Sequence, residues 1–472
     1  MKLYNSYSQK TEEFVPLEGN KVKMYVCGPT VYDSAHLGHA RCYITWDVLY
    51  RYLKFKGYEV TYCRNVTDVD DKILSKAQKE GKTPDEIARF YYQAFSKSME
   101  SLNNLKPDIE PFATKTLGEM IAINKQLIEK GHAYVVDGDV YFRVKSFDKY
   151  GQLSKQPLEA LESGARVEES DLKENPMDFA LWKHDEKFGY KSPWGVGRPG
   201  WHIECSAMSR KYLGNTIDIH AGGADLIFPH HENEIAQSEC ANGQQFVKYW
   251  MHNGFVTINK EKMSKSLGNF LTIDKILENY DANAIRFFIL TNHYRMPVEF
   301  SDEALTSASA GVKRLYTAIN EARKTAKIDE NLNLNACEEY QEFVEAMDED
   351  LNTSKALAVL FDLANKTNKE QNSRNLTLIY KISEVLGFNF DKVEISEEEL
   401  KERIDKAIEI IGTAVEIKKA ISNTETMKNI IQVRNVAREM KNWSVADKIR
   451  VSFDIAGILL KDEKNETTWE IK

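Results

Sequence analysis

The hydrophobic and polar positions in the first part of the chain follow two different periods in turn. Residues 23–27 (KMYVC) form a short apolar run that a Gly-Pro pair ends, which predicts a strand. Across 38–55 the apolar residues recur at helical spacing, and residues 59–64 (EVTYCR) predict a second strand. A strand, a helix and a strand in this order predict the start of a doubly wound α/β sheet, because such units are parallel and right-handed.

The same reading divides the rest of the chain. Helical spacing recurs near 84–102 and 117–130, and two β-rich runs flank the turn pair Asp137-Gly138, which predicts a hairpin. The α/β pattern resumes with a helix near 202–212 and a strand near 216–220, and helical spacing dominates from 302 to 412. The predicted segments are a first Rossmann-like half (1–115), an insertion (116–199), a second half (200–250), a loop-bearing segment (251–310), a helical bundle (311–412) and a small mixed α/β module (413–472).

Composition limits the class of protein. The chain has 472 residues, 42% hydrophobic and 29% charged, which predicts two to four globular domains. It lacks the run of about 18 apolar residues that a membrane helix needs, and its N-terminus has no apolar signal region, so we expect a cytosolic protein without membrane contact. The net charge of −9 argues against general nucleic-acid binding, although residues 401–450 hold 11 Lys or Arg against 7 Asp or Glu.

The motif His36-Leu37-Gly38-His39 follows the first predicted strand and begins the first predicted helix. Glycine lets a ligand approach the backbone closely, and a helix N-terminus favours anions. Two imidazoles there can donate hydrogen bonds to phosphate oxygens as charge develops. Taken alone, the motif is equally compatible with ordinary capping and packing histidines.

A second motif, Lys262-Met263-Ser264-Lys265-Ser266, lies far downstream. Two lysines in a flexible loop suit a pyrophosphate leaving group, because ammonium groups neutralise the charge that builds up in the transition state. The alternative for this motif alone is a solvated charged loop.

A third set of residues has the chemistry of a metal site. Cys27 ends the first strand and Cys205 lies on a later predicted helix, while His230 and Glu234 are four residues apart on a helix that Pro229 would begin. Two sulfurs, an imidazole and a carboxylate suit zinc. The six cysteines of so long a chain do not indicate a disulfide framework, and from spacing alone core thiols and a surface His–Glu pair would be the simpler interpretation.

The first two motifs together resemble the signatures of class I aminoacyl-tRNA synthetases, with Leu37 in place of the commoner isoleucine. Four blocks extend the resemblance over essentially the whole chain. They are similar to the cysteinyl-tRNA synthetase family and comprise residues 26–33 (VCGPTVYD), 65–72 (NVTDVDDK), 198–205 (RPGWHIEC) and 222–232 (GGADLIFPHHE).

The resemblance implies a role for each matching residue. It implies one zinc ion per chain, bound by Cys27, Cys205, His230 and Glu234, and an amino-acid pocket formed by Cys27, Thr67 and Trp201. It implies that ATP contacts His36, Gly38, His39 and Lys265, with His36 and His39 stabilising the transition state and Lys262 and Lys265 holding the departing phosphates. It implies that the anticodon is read by Arg438, Trp443, Asp447 and Asp462.

The substrates follow from the same resemblance: L-cysteine, ATP with Mg²⁺, and tRNA(Cys), handled by a monomeric enzyme. Zinc prefers a thiolate to a hydroxyl, so selection against serine would occur in the first step. An apolar pocket separates such near-isosteres poorly, and a separate editing domain would then be unnecessary.

The residues 434–450 carry the anticodon prediction. On one continuous helix Arg438, Trp443 and Asp447 would share a broad face. A guanidinium, an indole and a carboxylate can stack on unstacked bases and form hydrogen bonds with them. From periodicity alone, an amphipathic helix with Trp443 in the core is the simpler interpretation.

Three other functions remain open at the level of sequence. One is a cysteine ligase of the same fold that acylates a small amine, which would lack an anticodon-reading C-terminus. The second is a nucleotidyltransferase of the His-x-Gly-His type, which does not need the zinc set. The third is a non-catalytic zinc protein that binds nucleic acid, which the intact His36, His39, Lys262 and Lys265 argue against.

Overall fold

The structure, a computed structural model, describes residues 1–156, 172–258, 261–262, 271–390, 397–412, 415, 417–420, 422–462 and 467–471. By their internal contacts these residues form two compact units. The first comprises residues 1–318 and 325–388, and the second comprises 319–324 and 389–472.

A parallel sheet forms the centre of the first unit. Within the described ranges its four strands lie in the spatial order Val247–Asn253, Ile217–Gly223, Lys21–Val26 and Glu59–Arg64, and all neighbours pair in parallel. The two inner strands are almost completely buried, as expected for a sheet that helices cover on both faces. The predicted strand, helix and strand at the start of the chain are confirmed.

Most of the remaining described residues of the first unit are helical. Leu37–Phe55 follows the first sheet strand and is buried along most of its length. Asp71–Glu80 was not predicted as a helix, although Asp70 acts as its cap by accepting a hydrogen bond from the backbone N–H of Lys72 at 2.8 Å. The other α-helices that the structure describes before residue 390 are Pro84–Ser101, Leu117–Glu129, Trp201–Leu213, Glu232–Asn242, Ile273–Leu277, Ala282–Leu290, Asp302–Arg323, Glu338–Asp348, Thr353–Lys369 and Ser373–Leu386.

An antiparallel sheet lies within the segment that was predicted as an insertion. The hairpin around Asp137 and Gly138 is confirmed, and both turn residues have positive φ, 49° and 90°. The three later strands were not predicted. Gly195–Pro199 and Tyr190–Ser192 are short and partly exposed, and in Phe179–His184 two adjacent buried residues, Leu181 and Trp182, interrupt the alternation. In spatial order the strands described in this sheet are Ala133–Val136, Asp139–Phe142, Phe179–His184, Gly195–Pro199 and Tyr190–Ser192.

Shorter strands complete the first unit. An N-terminal hairpin was missed because its two strands are only four residues long and mostly polar. A second small sheet joins the segment after the parallel sheet to the residues that precede the helix Asp302–Arg323. The strands are Lys2–Asn5 with Lys10–Glu13, and Val256–Ile258 with Glu261–Lys262 and Val298–Glu299.

The second unit is a small mixed α/β module, as predicted. Helices Glu397–Ile411, Asn423–Glu439 and Trp443–Ile455 pack with the hairpin Ile458–Asp462 and Thr467–Ile471 around one apolar cluster. That cluster includes residues on both sides of position 412. The predicted boundary between a helical bundle ending at 412 and a module beginning at 413 therefore does not coincide with a boundary of this apolar cluster, and that the residues after 412 read the anticodon stays a prediction. Among all described residues, no helix is both long and apolar enough to cross a bilayer.

The prediction of one continuous helix over residues 434–450 is wrong. One helix ends at Glu439, Lys441 adopts a left-handed conformation with φ of 56°, and the next helix begins at Trp443. Asn442 stabilises this new start, because its side chain accepts a hydrogen bond from the backbone N–H of Val445. Arg438 therefore lies on a different helix from Trp443 and Asp447.

Candidate active site

The carboxyl ends of the parallel strands converge on one cluster of polar side chains. Cys27 directly follows the strand Lys21–Val26, and Thr67 follows Glu59–Arg64. His220 lies in the middle of the strand Ile217–Gly223, and His252 is the last residue but one of Val247–Asn253. All four side chains are buried. Ligand sites of open α/β sheets occur at this edge, because the loops there leave a crevice between the strands.

The four residues of the predicted metal set meet in this cluster. The two sulfurs of Cys27 and Cys205 are 3.8 Å apart, and Cys205 Sγ lies 3.6 Å from His230 Nε2. Glu234 Oε1 is 3.6 Å from Cys27 Sγ and 3.0 Å from His230 Nε2. The ligand atoms all lie within 4.8 Å of one another and all four residues are buried.

The three separations that involve a sulfur, 3.6–3.8 Å, fit a tetrahedral zinc site, and the 3.0 Å between His230 and Glu234 is slightly shorter than such a site requires. Zinc–sulfur bonds of about 2.3 Å and zinc–nitrogen or zinc–oxygen bonds of about 2.0 Å require ligand separations of about 3.3–3.8 Å. A second group of side chains, comprising Cys27, His220, His231 and Glu234, also meets the distance condition. It shares two members with the first group and offers a single sulfur, so the first group is the better match to zinc.

The helix carrying Glu234 begins later than predicted. Its first residue is Glu232, and His230 lies in the preceding turn, residues 227–231. The predicted contact between His230 and Glu234 is present, with Nε2 and Oε1 3.0 Å apart. The predicted start of the helix at Pro229 is wrong.

Other histidines hold the ligand side chains in place. His230 contacts His202 through its second nitrogen, Nδ1, at 3.0 Å, and Glu234 contacts His220 Nε2 through its second oxygen, Oε2, at 2.8 Å. Such outer partners orient metal ligands and raise their basicity. His231 lies 3.2 Å from Cys27 Sγ and is in contact with His252.

Electrostatics prepare the cluster for a cation. Burial raises the pKa of Glu234, but the charges of His220 and His230 oppose this and lower it to about 2. Burial also disfavours the charged form of Cys205, but contacts with Cys27 and His230 lower the pKa of its thiol to about 6. Burial disfavours the charged form of His230 as well, but Glu234 and Cys205 raise the pKa of its imidazole to about 10. A divalent ion bound here would take the place of the proton on His230 and interact with the same negative groups, Glu234 and Cys205.

The His36 motif forms the start of the first long helix, as predicted. Gly38 donates its backbone N–H to His36 Nδ1, and His36 donates its own to His39 Nδ1, each at 3.1 Å. The two rings lie with their centroids 4.0 Å apart. Because both Nδ1 atoms accept hydrogen bonds, a neutral ring carries its proton on Nε2.

The segment that follows the second motif is anchored at this helix start. The backbone N–H of Leu37 donates to the Leu271 carbonyl at 3.0 Å, and that of Ile273 donates to the Ala35 carbonyl. Lys262 ends a short strand, Glu261–Lys262, that pairs with Val256–Ile258. Residues 263–270, including Lys265, lie outside the described residues.

Of the two residues predicted for the amino-acid pocket, Trp201 contacts the metal set directly, and Thr67 is linked to it through Asn65. Trp201 is 41% exposed and its ring lies 4.1 Å from that of His230, centroid to centroid. Thr67 is buried and donates its hydroxyl proton to Glu204 Oε2 at 2.6 Å. Burial raises the pKa of Glu204 well above its ordinary value.

The residues predicted to read the anticodon lie in the second unit, where Trp443 and Asp447 are one turn apart on the helix Trp443–Ile455 and the other two contact each other. Arg438 Nη1 and Asp462 Oδ1 form an ion pair at 2.8 Å. Arg434 holds both oxygens of Asp462, at 2.6 and 2.8 Å, and keeps the pKa of that carboxyl well below its usual range. Trp443 is 59% exposed, so the interpretation that placed it in the core is wrong.

Several residues in contact with these sites were not singled out from the sequence. Asn65 and Glu204 lie inside blocks that carried the resemblance. His252 is the last residue but one of a parallel strand, which is a signal that could have been used. Arg434 gave no such signal, because a buried arginine on a charged helix cannot be distinguished from a solvated one by spacing.

Family comparisons cover both the catalytic and the helical regions. Residues 13–310 match the family described as tRNA synthetases class I (C) catalytic domain, and residues 342–391 match the DALR domain family. The chain is 48% identical over 491 residues to a cysteine–tRNA ligase of Geobacter sulfurreducens and 47% identical over 479 residues to one of Francisella philomiragia. Each match covers 100% of both chains.

Solved structures with a similar fold are more distant in sequence. Methionyl-tRNA synthetase of Mycobacterium tuberculosis with methionyl-adenylate has a TM-score of 0.56 at 16% identity, covering 78% of this chain and 89% of that chain. The leucyl-tRNA synthetase of Agrobacterium radiobacter in its ternary complex has a TM-score of 0.54 at 12% identity, covering 79% and 84%. At these identities the likeness is evidence for the fold alone.

Proposed function

Because the chain belongs to the cysteine–tRNA ligase family of class I aminoacyl-tRNA synthetases, we propose that it selects L-cysteine at a zinc ion held by Cys27, Cys205, His230 and Glu234. The observation that carries this proposal is the buried set of four ligand atoms, whose separations suit tetrahedral zinc. The activity is the ATP-dependent formation of cysteinyl-adenylate, followed by transfer of the cysteinyl group to tRNA(Cys).

Selection takes place where the side chain of the substrate meets the cluster. A bound zinc ion favours a thiolate over a hydroxyl and lowers the pKa of the thiol. Trp201 covers His230 on the open side of the cluster and limits the space for the substrate. The histidines behind the ligands keep His230 and Glu234 oriented toward it.

Activation proceeds beside the first long helix. The substrate carboxylate attacks the α-phosphorus of ATP, which enters with Mg²⁺, and pyrophosphate leaves. His36 and His39 donate from Nε2 to phosphate oxygens on which charge develops, because the backbone N–H groups of the capping box engage their Nδ1 atoms. The N-terminus of the helix, which begins at Leu37 and includes Gly38 in its first turn, adds favourable potential for the anion.

Lys262 and Lys265 hold the departing phosphates. We expect Lys265→Ala to lower kcat for adenylate formation by at least about 100-fold and to raise KM for ATP much less, since the charge on the leaving group is greatest in the transition state. Pyrophosphate-exchange kinetics at varied ATP concentrations measure both constants. A defect confined to KM would remove Lys265 from this role.

The second step distinguishes the proposal from a ligase that acylates a small amine. The purified chain should attach radiolabelled cysteine to a tRNA(Cys) transcript, and a transcript with an altered anticodon should be charged poorly because the second unit reads that loop. Cysteinylation of a small amine with no charging of tRNA would support the alternative instead. A monomeric state and a cytoplasmic location belong to the same proposal.

A further inference from the structure

One buried arginine on the helix of the His36 motif has no part in the scheme above. Arg41 lies two residues after His39 and is only 1% exposed. Its nitrogens Nη1 and Nη2 donate, at 2.7–3.0 Å, to the backbone carbonyls of Ile289, His293, Tyr294 and Met296. These partners are carbonyls and not carboxylates, although taking a charge out of water is costly unless it is well compensated. The arrangement therefore calls for an explanation.

The loop that Arg41 holds by its carbonyls supports a second segment of the chain. Gly254 donates its backbone N–H to the Tyr294 carbonyl at 2.8 Å. The two backbones approach each other closely there, because a Cβ atom on Gly254 would lie 2.6 Å from the carbonyl carbon and oxygen of Met296. The position of the chain at Gly254 thus depends on the loop that Arg41 fixes.

This supported segment leads directly into the second motif. The strand Val256–Ile258 pairs in parallel with Val298–Glu299, which follows the loop, and antiparallel with Glu261–Lys262. The strand that ends at Lys262 is therefore connected to Arg41 through one loop and two short strands.

The segment after the motif is attached to the same helix by its main chain. Leu37 donates its backbone N–H to the Leu271 carbonyl, and Ile273 donates to the Ala35 carbonyl, each at 3.0 Å. Arg41 lies one helical turn beyond Leu37. The described segments on either side of residues 263–270 are thus both tied to the turns of the helix that begin with the His36 motif.

We propose that Arg41 is a positioning residue that holds the strand ending at Lys262 in place relative to the helix of His36 and His39. This inference rests on the proposed function, in which the histidines stabilise charge at the α-phosphate and the lysines hold the departing pyrophosphate. Both sets must face one ATP molecule, although they come from distant parts of the chain. A misplacement of about 1 Å between such groups can cost about 100-fold in rate.

Arg41→Met tests this role, because methionine has a similar length and no hydrogen-bond donor. We expect kcat for adenylate formation to fall by about 10- to 100-fold, as for other displacements of reacting groups. The KM for L-cysteine and the zinc content should stay close to those of the wild type, since Arg41 is not a member of the metal set. Arg41→Lys should be intermediate, since one ammonium group cannot reach all the carbonyls that a guanidinium spans. Pyrophosphate exchange and metal analysis give these quantities.

Arg51→Met is the matched control. Arg51 lies on the same helix and donates to the backbone carbonyls of Asn103 and Glu384, neither of which belongs to a segment that flanks the second motif. A double-mutant cycle with Lys262→Ala separates the two arginines. Arg41→Met should lower kcat much less in the Lys262→Ala background than in the wild type, whereas the effects of Arg51→Met and Lys262→Ala should multiply.

Hydrogen exchange measures the structural step directly. The backbone N–H groups that join the two segments are those of Gly254, Val298 and Phe300, and they should lose protection in Arg41→Met. The N–H group of Ile273, which donates to the main chain before the helix, should keep its protection. A protein destabilised as a whole would lose protection at all four positions.

Three results would overturn the inference: an unchanged kcat in Arg41→Met, effects of Arg41→Met and Lys262→Ala that multiply, or equal loss of protection at all four positions. If Arg41→Met does not fold, Gly254→Ala disturbs the same junction from the other side and carries the same expectations, because its Cβ would meet the Met296 backbone. A wild type that shows no cysteine-dependent exchange would instead contradict the proposed function, so the two failures can be told apart.

Discussion

The Cys205→Ser variant should lose most of its bound zinc and more than about 100-fold of its kcat/KM for cysteine activation. Even outer partners of a metal ligand typically contribute 10- to 100-fold to affinity or activity, and Cys205 is a direct member of the ligand set. A serine hydroxyl stays protonated at neutral pH and binds zinc poorly, whereas contacts with Cys27 and His230 favour the thiolate of Cys205 against the effect of burial. Activation of serine, already weak, should change far less.

The matched control is Cys240→Ser. Cys240 is also buried, lies on the helix that carries Glu234, and is not a member of the described groups that could hold a metal. This variant should keep its zinc and its preference for cysteine. Metal analysis and pyrophosphate exchange on the same samples give both quantities, and a Cys205→Ser protein with full cysteine activity but no zinc would refute the assignment.

Trp443→Ala should impair charging of tRNA without affecting the formation of cysteinyl-adenylate. An indole that is 59% exposed on a folded helix is available for stacking, and one stacked base contributes about 1–3 kcal/mol. All residues assigned to adenylate formation lie in the first unit, so pyrophosphate exchange should remain close to that of the wild type. Charging assays at varied tRNA concentrations measure the loss as a change in kcat/KM.

Ile455→Ala provides the control for loss of exposed apolar surface. Ile455 ends the same helix and is 57% exposed, so removing it should leave charging unchanged. If the two variants charged tRNA equally well, Trp443 would not contact the anticodon loop. A point variant is preferable to deletion after Gly412, since such a cut would expose the face of Glu397–Ile411 that packs against the later helices.

Periodicity located the elements whose apolar face is long enough to be visible. The strand Glu59–Arg64 and the hairpin around Asp137 were predicted at their observed positions. The strands Tyr190–Ser192 and Gly195–Pro199 were missed, since a strand that is short and partly exposed has too few positions to establish a period. Phe179–His184 was missed because the adjacent buried residues Leu181 and Trp182 break its alternation. The break before Trp443 was missed because Asn442 is a cap that also occurs inside helices.

Contacts within the candidate site were only partly accessible from sequence. The metal set could be named because its residue types indicate zinc and its blocks carry a family resemblance. The contact between Thr67 and Glu204 joins residues 137 positions apart, and no pattern in either segment predicts it. The pairing of Arg434 with Asp462 is hidden for the same reason: it depends on how a helix meets a hairpin.

Cysteine-dependent ATP–pyrophosphate exchange, measured as zinc is removed with a chelator and with serine as the control substrate, tests the central claim most directly. We expect one zinc ion per chain at the start, a fall in cysteine activation in proportion to the zinc lost, and recovery when zinc is restored. Serine should be a poor substrate throughout. Undiminished cysteine activation in protein shown by metal analysis to be free of zinc would contradict the account.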